Sequence, residues 1–370
     1  MTNFDPNIPY NDLALLPPKQ EFYNLATYKK VVKATDELSK LNGLLLSTWD
    51  NVTATMNMFN PFFAPEAEAS SKVENIVTTT EEILLAGVLD ESQQSPAQKE
   101  GRAYVNALAK GASIIESKKP LTTNSFLDIQ DKLAVKAKGI RKTPGTQLKD
   151  DRTGKVFYTP PEGESRIRDL LQNLENFINI PNDEIDPLIN MALMHYQFEA
   201  IHPFYDGNGR TGRILMPLYL ELSHKTRYPF LFISGYILKH KPEYYSKLRN
   251  VTEKGEWLQW VDFILEGATA TAKRMSDTLI QIKEQKDQAS SLLGENIGTR
   301  HNDLVQFVFN EPIFNRLQLA DSLGIHNHTS TKYAEYLVET KIVTKQKFHK
   351  QWVYINVGLV RLLQKYAQWD

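Results

Sequence analysis

The most informative part of the sequence for chemistry is a polar loop that leads into an apolar helix. The run is Ile201-His202-Pro203-Phe204-Tyr205-Asp206-Gly207-Asn208-Gly209-Arg210-Thr211-Gly212-Arg213. Glycines on both sides of Asn208 let the backbone turn tightly and approach a ligand closely. A helix that begins near Gly209 directs free N–H groups and a positive dipole end toward the loop. The local pattern therefore predicts an anion site suited to phosphate.

Four side chains in this run have the types that nucleotide chemistry requires. Arg210 and Arg213 are three residues apart, so they share one helix face and can clamp a polyphosphate. Asp206 offers the hard oxygen ligand that Mg²⁺ prefers. His202 is a residue type that accepts protons near neutral pH. Each has an ordinary alternative, such as a structural histidine, a turn or a salt-bridged surface, but their order and spacing together favour a phosphate site.

The run resembles the signature of Fic domain proteins, His-x-Phe-x-Asp/Glu-Gly-Asn-Gly-Arg-x-x-Arg, at every specified position. The resemblance extends over roughly residues 20–290. It implies an all-α core with a β-hairpin flap over the site, and transfer of AMP from ATP to a protein hydroxyl in the presence of Mg²⁺. A branch of the family with lysine at the second motif glycine phosphorylates instead, so Gly209 favours adenylylation.

The resemblance also implies a role for each motif residue. His202 would deprotonate a Ser, Thr or Tyr hydroxyl of the target, and Asp206 would hold Mg²⁺ between the α- and β-phosphates. Arg210 would neutralise the β-phosphate and Arg213 the γ-phosphate. The residues expected to bind ATP and its phosphates are Gly207, Asn208, Gly209, Arg210, Thr211, Gly212, Arg213 and Tyr244.

A second resemblance lies upstream, where Ser70-Ser71-Lys72-Val73-Glu74-Asn75 matches the inhibitory motif of the family, Ser/Thr-x-x-x-Glu-Gly/Asn. It implies an inhibitory helix over about residues 67–88 that carries Ser70, Glu74 and Asn75. Glu74 would pair with Arg213 and occupy the γ-phosphate space. The local alternative is a capping box, with Ser71 as the N-cap and Glu74 three residues later. A Glu74 side chain folded back onto its own cap would not reach Arg213.

The region 143–161 predicts a β-hairpin, because two short extended runs flank a turn that contains Asp151 and Gly154. Its second strand is expected to dock the target segment by strand addition, through Val156, Phe157 and Tyr158. An ordinary amphipathic hairpin is the alternative. Of the adjacent Tyr244 and Tyr245, one is expected in the core, since neighbouring helix positions do not share a face. His195 is interpreted as a core or supporting histidine.

The overall pattern predicts a mainly α protein with a Fic-type all-helical core, a β-hairpin flap and a C-terminal winged-helix-like domain. We expect residues 1–110 to form a helical region with the inhibitory helix, 111–290 the catalytic core, and 291–370 the winged helix. The predicted helices and the final strand pair are 97–117, 125–138, 165–178, 186–198, 209–222, 315–323, 329–339 and 342–356. Helical periodicity also covers about 21–89, with a break near Asn60-Pro61.

Composition excludes several function classes. Lys and Arg number 43 against 44 Asp and Glu, so the net charge is −1 and a general nucleic-acid coat or polybasic membrane binder is disfavoured. Without cysteine, the chain has no disulfide, thiolate metal site or cysteine nucleophile, which favours a cytoplasmic location. The sequence contains no run of 18 apolar residues, so it predicts no membrane-spanning segment. The possible wing carries Lys345, Lys347, His349 and Lys350, for which protein contacts are favoured over DNA.

The sequence therefore predicts a protein adenylyltransferase that uses ATP and Mg²⁺ and is restrained by Glu74. Its expected partners are a hydroxyl of a target protein, the chain itself in self-modification, and a second copy in a homodimer. One alternative is a bifunctional enzyme that also removes AMP, with Glu74 as the base for water. Another is a nucleotide-sensing regulator that acts through the C-terminal winged helix.

Overall fold

The computed structural model describes residues 4–48, 55–149, 153–181, 184–293 and 300–369, and the protein is mainly helical. In chain order the helices are α1 (Leu25–Thr48), α2 (Thr55–Val73), α3 (Thr80–Ala86), α4 (Pro96–Glu116), α5 (Thr123–Lys132), α6 (Glu164–Asn179), α7 (Pro187–Ile201), α8 (Asn208–Leu222), α9 (Ser234–Lys239), α10 (Lys241–Lys254), α11 (Trp257–Leu293), α12 (His301–Asn310), α13 (Arg316–Leu323), α14 (Asn327–Glu339) and α15 (Val357–Ala367). The strands are β1 (Leu148–Lys149), β2 (Val156–Tyr158), β3 (Ile313–Phe314), β4 (Thr344–Phe348) and β5 (Gln351–Ile355). No described helix is long and apolar enough to cross a lipid bilayer.

The chain divides into two compact units. The first comprises residues 1–39 and 106–272, and the second comprises residues 40–105 and 273–370. This grouping differs from the three successive regions expected from the sequence, whose bounds stay a prediction.

Helix α7 is the most deeply buried element of the first unit. Every residue of Leu188–Ile201 is buried, so α7 has no solvent-facing stripe and packs on all sides. The helix begins after Asp186, whose side chain accepts a hydrogen bond from the Leu188 amide at 2.8 Å. The Trp260 indole of α11 donates to the Ala192 carbonyl at 2.7 Å, which ties α11 to the middle of α7.

An N-terminal arm (residues 4–16) is held along the first unit by side chains that bind its backbone. Asn173 of α6 accepts the Leu16 amide at 2.8 Å and donates to the Leu16 carbonyl at 3.1 Å. Gln197 of α7 donates to the Ala14 carbonyl at 2.9 Å. The arm is therefore fastened through its main chain and also through the buried side chains of Leu13 and Leu16.

The second unit contains a helix–turn–helix followed by a β-ribbon. Gly324 joins α13 to α14 in the left-handed conformation with φ of 60°. The three strands are antiparallel in the order β3-β5-β4. This succession of elements is the one expected for a winged helix in residues 291–370. A small apolar core under the sheet is formed by Val88, Ile313, Val353, Ile355 and Val360.

Two predicted helix boundaries differ from the structure because of buried partners that the periodicity does not reveal. The helix expected over 125–138 ends at Lys132. The Gln130 amide explains the ending, because it donates to the Asp206 carbonyl at 3.0 Å and accepts the Gly139 amide at 2.9 Å. The chain after α5 therefore loops around a buried side chain rather than continuing as a helix.

Helix α2 contains Pro61 and Pro65, although the sequence analysis places a break at Asn60-Pro61. Proline removes an amide donor and disfavours a helix interior. Residues 61–71 are all buried, so packing on every side outweighs this local preference. The single helix expected over about 67–88 is instead two helices, α2 and α3, separated by a turn at 74–79.

Candidate active site

The candidate active site begins where α7 ends, at His202. This residue has φ 47° and ψ 58°, the left-handed region, and its amide donates to the Phe198 carbonyl at 3.0 Å. A non-glycine residue in this region costs about 1–2 kcal/mol. This backbone strain falls on His202, the residue that the sequence predicts to be the proton acceptor. Backbone strain tends to cluster at functional sites.

Asn208 closes the loop between α7 and α8. Its Oδ1 accepts the Phe204 amide at 2.8 Å, and its Nδ2 donates to the Phe204 carbonyl at 2.9 Å. Asn208 is 3% exposed and fastens the loop, and its expected role in phosphate binding stays a prediction. Gly207 has φ 84°, and a Cβ there would lie 2.9 Å from Val135 Cγ1, so both conformation and space require glycine.

The first turns of α8 bring two buried arginines next to the loop. Arg210 and Arg213 are 4% and 2% exposed, and the first turn of α8 contains no acidic residue. Arg210 Nη2 lies 3.1 Å from Asp206 Oδ1. Two buried guanidinium groups at a helix N-terminus disfavour each other and favour a polyanion. The site therefore has the charge and the donors to bind a nucleotide polyphosphate.

A buried histidine supports α8 from behind. His195 Nε2 and the Tyr244 hydroxyl are hydrogen-bonded at 2.9 Å, and the His195 ring stacks on Trp260 with a centroid distance of 5.9 Å. Burial, and then the charge of Arg213, lower the pKa of His195 to about 3. His195 is thus a neutral core histidine, as the sequence analysis interprets it.

Gly212 and Tyr244 both pack against His195. A Cβ on Gly212 would lie 2.4 Å from Glu199 Oε1 and 3.3 Å from His195 Nδ1, so α7 and α8 approach closely at this glycine. Tyr244 is 1% exposed, with its hydroxyl on His195. The structure thus places Tyr244 in the core, and Tyr245 is the more exposed of the pair. Contact of Tyr244 with a nucleotide stays a prediction. Thr211 is fully buried, and Gly209 lies in the first turn of α8.

The flap forms the hairpin that the sequence predicts, with β1 and β2 antiparallel and Leu148 opposite Tyr158. The turn residues 150–152 lie outside the described residues. Tyr158 is 7% exposed and its hydroxyl donates to the Ala200 carbonyl at 2.7 Å, so this side chain anchors the flap to α7. Val156 and Phe157 are half-buried, and their docking of a target segment stays a prediction.

A buried arginine, Arg141, joins the flap to the loop between α7 and α8. Its Nε donates to the His202 carbonyl at 2.7 Å, and its Nη2 donates to the carbonyls of Ile201, at 3.1 Å, and Pro161. Its own amide donates to the Pro203 carbonyl at 2.9 Å. Sequence analysis does not identify this residue, because its partners lie 20 to 61 residues away. The only sequence signal is a lone arginine just before the hairpin.

The proposed inhibitory motif forms the C-terminus of α2, not the start of a helix. The Ile76 amide donates to the Ser71 carbonyl at 2.9 Å and the Asn75 amide donates to the Lys72 carbonyl at 3.0 Å, with Asn75 at φ 62°. These bonds make a Schellman motif with Glu74 at the C-cap. The capping-box interpretation of Ser71-x-x-Glu74 is therefore wrong.

The real capping box of this region lies eight residues later and begins α3. Thr79 Oγ1 accepts the Glu82 amide at 3.2 Å, and Glu82 Oε2 accepts the Thr79 amide at 2.9 Å. In contrast, Ser70 and Ser71 are fully buried in the last turn of α2. Both segments have the same Ser/Thr-x-x-Glu pattern, and only burial distinguishes a helix start from a helix end.

The β-ribbon of the second unit carries the basic residues that the sequence analysis assigns to a wing. Lys345 and Lys347 lie 4.8 and 5.9 Å from the ring centre of Trp352, which is half exposed. Lys345 also forms an ion pair with Glu335 of α14 at 2.5 Å. Part of the positive charge of the ribbon is therefore balanced within the unit.

The donor set around the loop fits a magnesium ion bound together with a nucleotide. The Asp206 side chain is 44% exposed, so it can contribute a carboxylate oxygen. Among the described residues, no group of three or more His, Asp or Glu side chains forms a metal cage. Mg²⁺ commonly binds through one or two carboxylates together with substrate phosphates, and this site offers that combination.

Comparisons with known proteins agree with this geometry. The model of the Fic/DOC family matches residues 120–220, and that of the Fic/DOC family N-terminal region matches residues 28–113. The chain belongs to the Fic/DOC family. The first of these matches includes the flap, α7, the loop and α8 as far as residue 220, so the family assignment rests on the residues that form the site.

Curated relatives of this Fic chain carry the name protein adenylyltransferase. Fic-1 of Caenorhabditis elegans is 29% identical over 130 residues, which is 33% of this chain and 23% of that protein. Fic of Aedes aegypti is 29% identical over 147 residues, 39% of this chain and 28% of that protein. Fic of Drosophila mojavensis is 34% identical over 107 residues, 29% of this chain and 20% of that protein. The chain thus matches less than a third of the length of each of these relatives.

Two solved structures share the Fic fold. A Fic family protein from Desulfovibrio desulfuricans G20 covers 91% of this chain and 98% of its own, with a TM-score of 0.55 and 19% identity. A Fic domain containing signaling protein from Bacteroides thetaiotaomicron covers 68% of this chain and 98% of its own, with a TM-score of 0.53 and 19% identity. At this identity the likeness concerns the fold.

Proposed function

We propose that this protein is an adenylyltransferase that moves AMP from ATP to a Ser, Thr or Tyr hydroxyl of a target protein. One observation carries the proposal. The left-handed His202 begins the loop that leads into α8, and the first turns of α8 carry two buried arginines. A proton acceptor and a polyphosphate clamp therefore lie at the two ends of one short loop. The name shared by the curated relatives supports the same chemistry.

The proposed reaction is an in-line displacement at the α-phosphorus. His202 takes the proton from the target hydroxyl, whose oxygen forms a bond to the α-phosphorus. The bond from that phosphorus to the oxygen bridging to the β-phosphate breaks, and pyrophosphate leaves with the electron pair. Arg210 and Arg213 stabilise the negative charge on the leaving group, so catalysis is mainly positioning and charge stabilisation. Mg²⁺, held by Asp206, would neutralise part of the charge of the phosphates.

We also propose that Glu74 restrains this activity by pairing with Arg213. The Schellman motif at the end of α2 fixes Glu74 at a C-cap position. A carboxylate at a helix C-terminus is disfavoured by the helix dipole and is stabilised by a nearby cation. An arginine of the phosphate clamp is a suitable cation, and occupying it would hinder productive binding of the γ-phosphate.

The test is AMP incorporation from α-labelled ATP with Mg²⁺, into the chain itself and into proteins of a cell lysate, with intact mass as the readout for self-modification. We expect weak labelling by the wild type, strong labelling by Glu74→Gly and none by His202→Ala. His224→Ala is the matched control, because His224 is also a left-handed histidine of the first unit but is exposed after α8. Full labelling by His202→Ala would contradict the proposal.

The same assay separates the other candidate functions. Loss of AMP from a labelled protein on incubation with the wild type would indicate the bifunctional enzyme. Binding of ATP without labelling in any lysate would favour the nucleotide-sensing regulator. A homodimer and a cytoplasmic location are further proposals, which sedimentation and cell fractionation test directly.

A further inference from the structure

Arg141 is a charged residue buried in the first unit, and the charge of Glu162 acts on it only from beyond ion-pair distance. Its side chain is 1% exposed, and it forms no ion pair within the described part of the chain. Burial lowers the pKa of Arg141 from its usual value. A guanidinium stays protonated nonetheless, and burying it is tolerated only when its N–H groups are satisfied.

The partners of this guanidinium are backbone carbonyls at three separate points. Two of them, on Ile201 and His202, belong to the last turn of α7, where carbonyls lack helical partners and the dipole is negative. The third, on Pro161, lies where the chain leaves the flap. Since Arg141 itself lies where the chain enters the flap, one side chain joins both ends of the flap to the backbone of His202.

Further contacts continue this junction along the catalytic loop. Ile140 and Phe204 form an isolated antiparallel bridge, and the Arg141 amide donates to the Pro203 carbonyl at 2.9 Å. The Lys142 amide donates to the Tyr205 hydroxyl at 2.8 Å. The start of the flap is thus paired with the loop residue by residue, with Arg141 in the middle.

We propose that Arg141 is a positioning residue for AMP transfer, which holds the strained His202 backbone and the base of the flap in one fixed arrangement. The imidazole at the end of α7 and a target segment on β2 are then presented to the same phosphorus. Arg141 reaches neither α8 nor its arginines in any hydrogen bond of the described residues, so we expect the affinity for nucleotide to be independent of it. The part of this inference that is measured as AMP transfer rests on the proposed function.

The test compares Arg141→Lys and Arg141→Gln with Arg166→Lys in the full chain. Arg166 is the matched control, because it also donates to two backbone carbonyls, of Asn11 at 2.9 Å and Leu13 at 3.2 Å, but outside the site. We expect kcat for AMP transfer to fall about 100-fold in Arg141→Gln, because small displacements of reacting groups have effects of this size. We expect Arg141→Lys to recover part of the rate, and Arg166→Lys to keep all of it.

The dissociation constant for Mg²⁺-ATP separates positioning from general damage. It should stay within about twofold of the wild-type value in all three variants, since the clamp of α8 is untouched. An equal loss of affinity and of kcat would overturn the inference, as would an unchanged kcat in both Arg141 variants.

Two further measurements keep the inference testable when the assay or a variant fails. Amide hydrogen exchange of Arg141 and Phe204 needs no activity, and both amides should exchange at least tenfold faster in Arg141→Lys than in the wild type. Unchanged exchange overturns the inference, even where wild-type labelling is absent and the proposed function itself fails. Where the Arg141 variants do not fold, Tyr205→Phe removes the hydroxyl that contacts Lys142 and Thr143 at the start of the flap, and we expect kcat to fall several-fold with unchanged ATP affinity. An unchanged kcat in Tyr205→Phe would contradict the inference.

Discussion

Among the helices that end at a non-glycine residue in the left-handed conformation, α2 and α7 are supported in different ways. Helix α2 ends with Asn75 at φ 62°, and α7 ends with His202 at φ 47°. Asparagine tolerates this conformation, and two local backbone bonds of a Schellman motif complete the end of α2. The end of α7 depends instead on Arg141, a buried side chain from another part of the chain.

The difference concerns which residue bears the strain. At α2 the residue proposed to regulate, Glu74, precedes the left-handed position, and a tolerant neighbour adopts it. At α7 the residue proposed to react adopts it itself. His202, which must present its side chain in one fixed direction, is therefore held by distant, buried contacts. Glu74, which must be able to leave its partner, lies at a helix end that local backbone bonds complete.

The largest effect is expected at His202. His202→Ala and His202→Gly should each lower AMP transfer by about 10²- to 10⁴-fold, the usual range for a general base. The two variants should differ in stability, because glycine adopts φ 47° without the alanine penalty. We expect His202→Gly to be more stable than His202→Ala by about 1 kcal/mol in denaturant unfolding. Equal stabilities would mean that the end of α7 is not strained.

A smaller effect, of opposite sign, is expected at Glu74. Glu74→Gln and Glu74→Gly should both raise AMP transfer, by roughly 5- to 150-fold, the usual range of coupling between sites. The glutamine variant separates two causes, because it removes the charge and leaves the end of α2 intact. Glu82→Gln, in the capping box of α3, is the control and should leave the rate unchanged. Activation by the glycine variant alone would indicate unravelling of α2 rather than loss of an ion pair.

Acid should weaken the α7 end before the α2 end. His195 has a folded-state pKa of about 3 against a usual value of 6.5, so the unfolded chain binds a proton that the folded chain does not. This contribution to stability is complete above pH 6.5 and declines as the pH falls toward 3, by at most about 1.4 kcal/mol per pH unit. Hydrogen exchange at pH 7.5 and 5.5 should show faster opening at His202 than at Asn75, and His195→Gln should reduce the pH dependence. Equal acceleration at both ends would argue against this explanation.

The smallest effect is expected at Asn75. Asn75→Gly should leave stability within about 0.5 kcal/mol, whereas Asn75→Ala should lower it by about 1 kcal/mol, since alanine is disfavoured at φ 62°. A frayed end of α2 would also release Glu74 in part, so Asn75→Ala should show a small rise in AMP transfer. Thermal unfolding and the labelling assay measure the two effects. A loss of transfer would contradict the proposed role of Glu74.

Local rules predict the features of this fold that depend on local sequence. The loop glycines, the start of α8 near Gly209 and the hairpin over 143–161 follow from residue types whose conformational preferences act within a few positions. The Fic signature likewise identifies His202, Asp206 and the two arginines. These assignments need no knowledge of what packs against them.

The sequence fails where a distant buried partner decides the outcome. Gln130 ends α5 through contacts to Gly139 and Asp206, and burial lets α2 continue through two prolines. The same four-residue pattern ends α2 at Ser71 and begins α3 at Thr79, and nothing local distinguishes them. The role of Arg141 depends on carbonyls 20 to 61 residues away, which periodicity does not detect.

The N-terminal arm has a consequence for how the chain is made. Its residues Asn11, Ala14 and Leu16 bind partners that lie 151 to 183 residues further along the chain. During synthesis the arm therefore emerges long before α6 and α7, and it has to stay unpaired until the ribosome has passed Gln197. Contacts of such long range form slowly and leave a window for aggregation or for capture by a chaperone. The first unit can close only after most of its length has been translated.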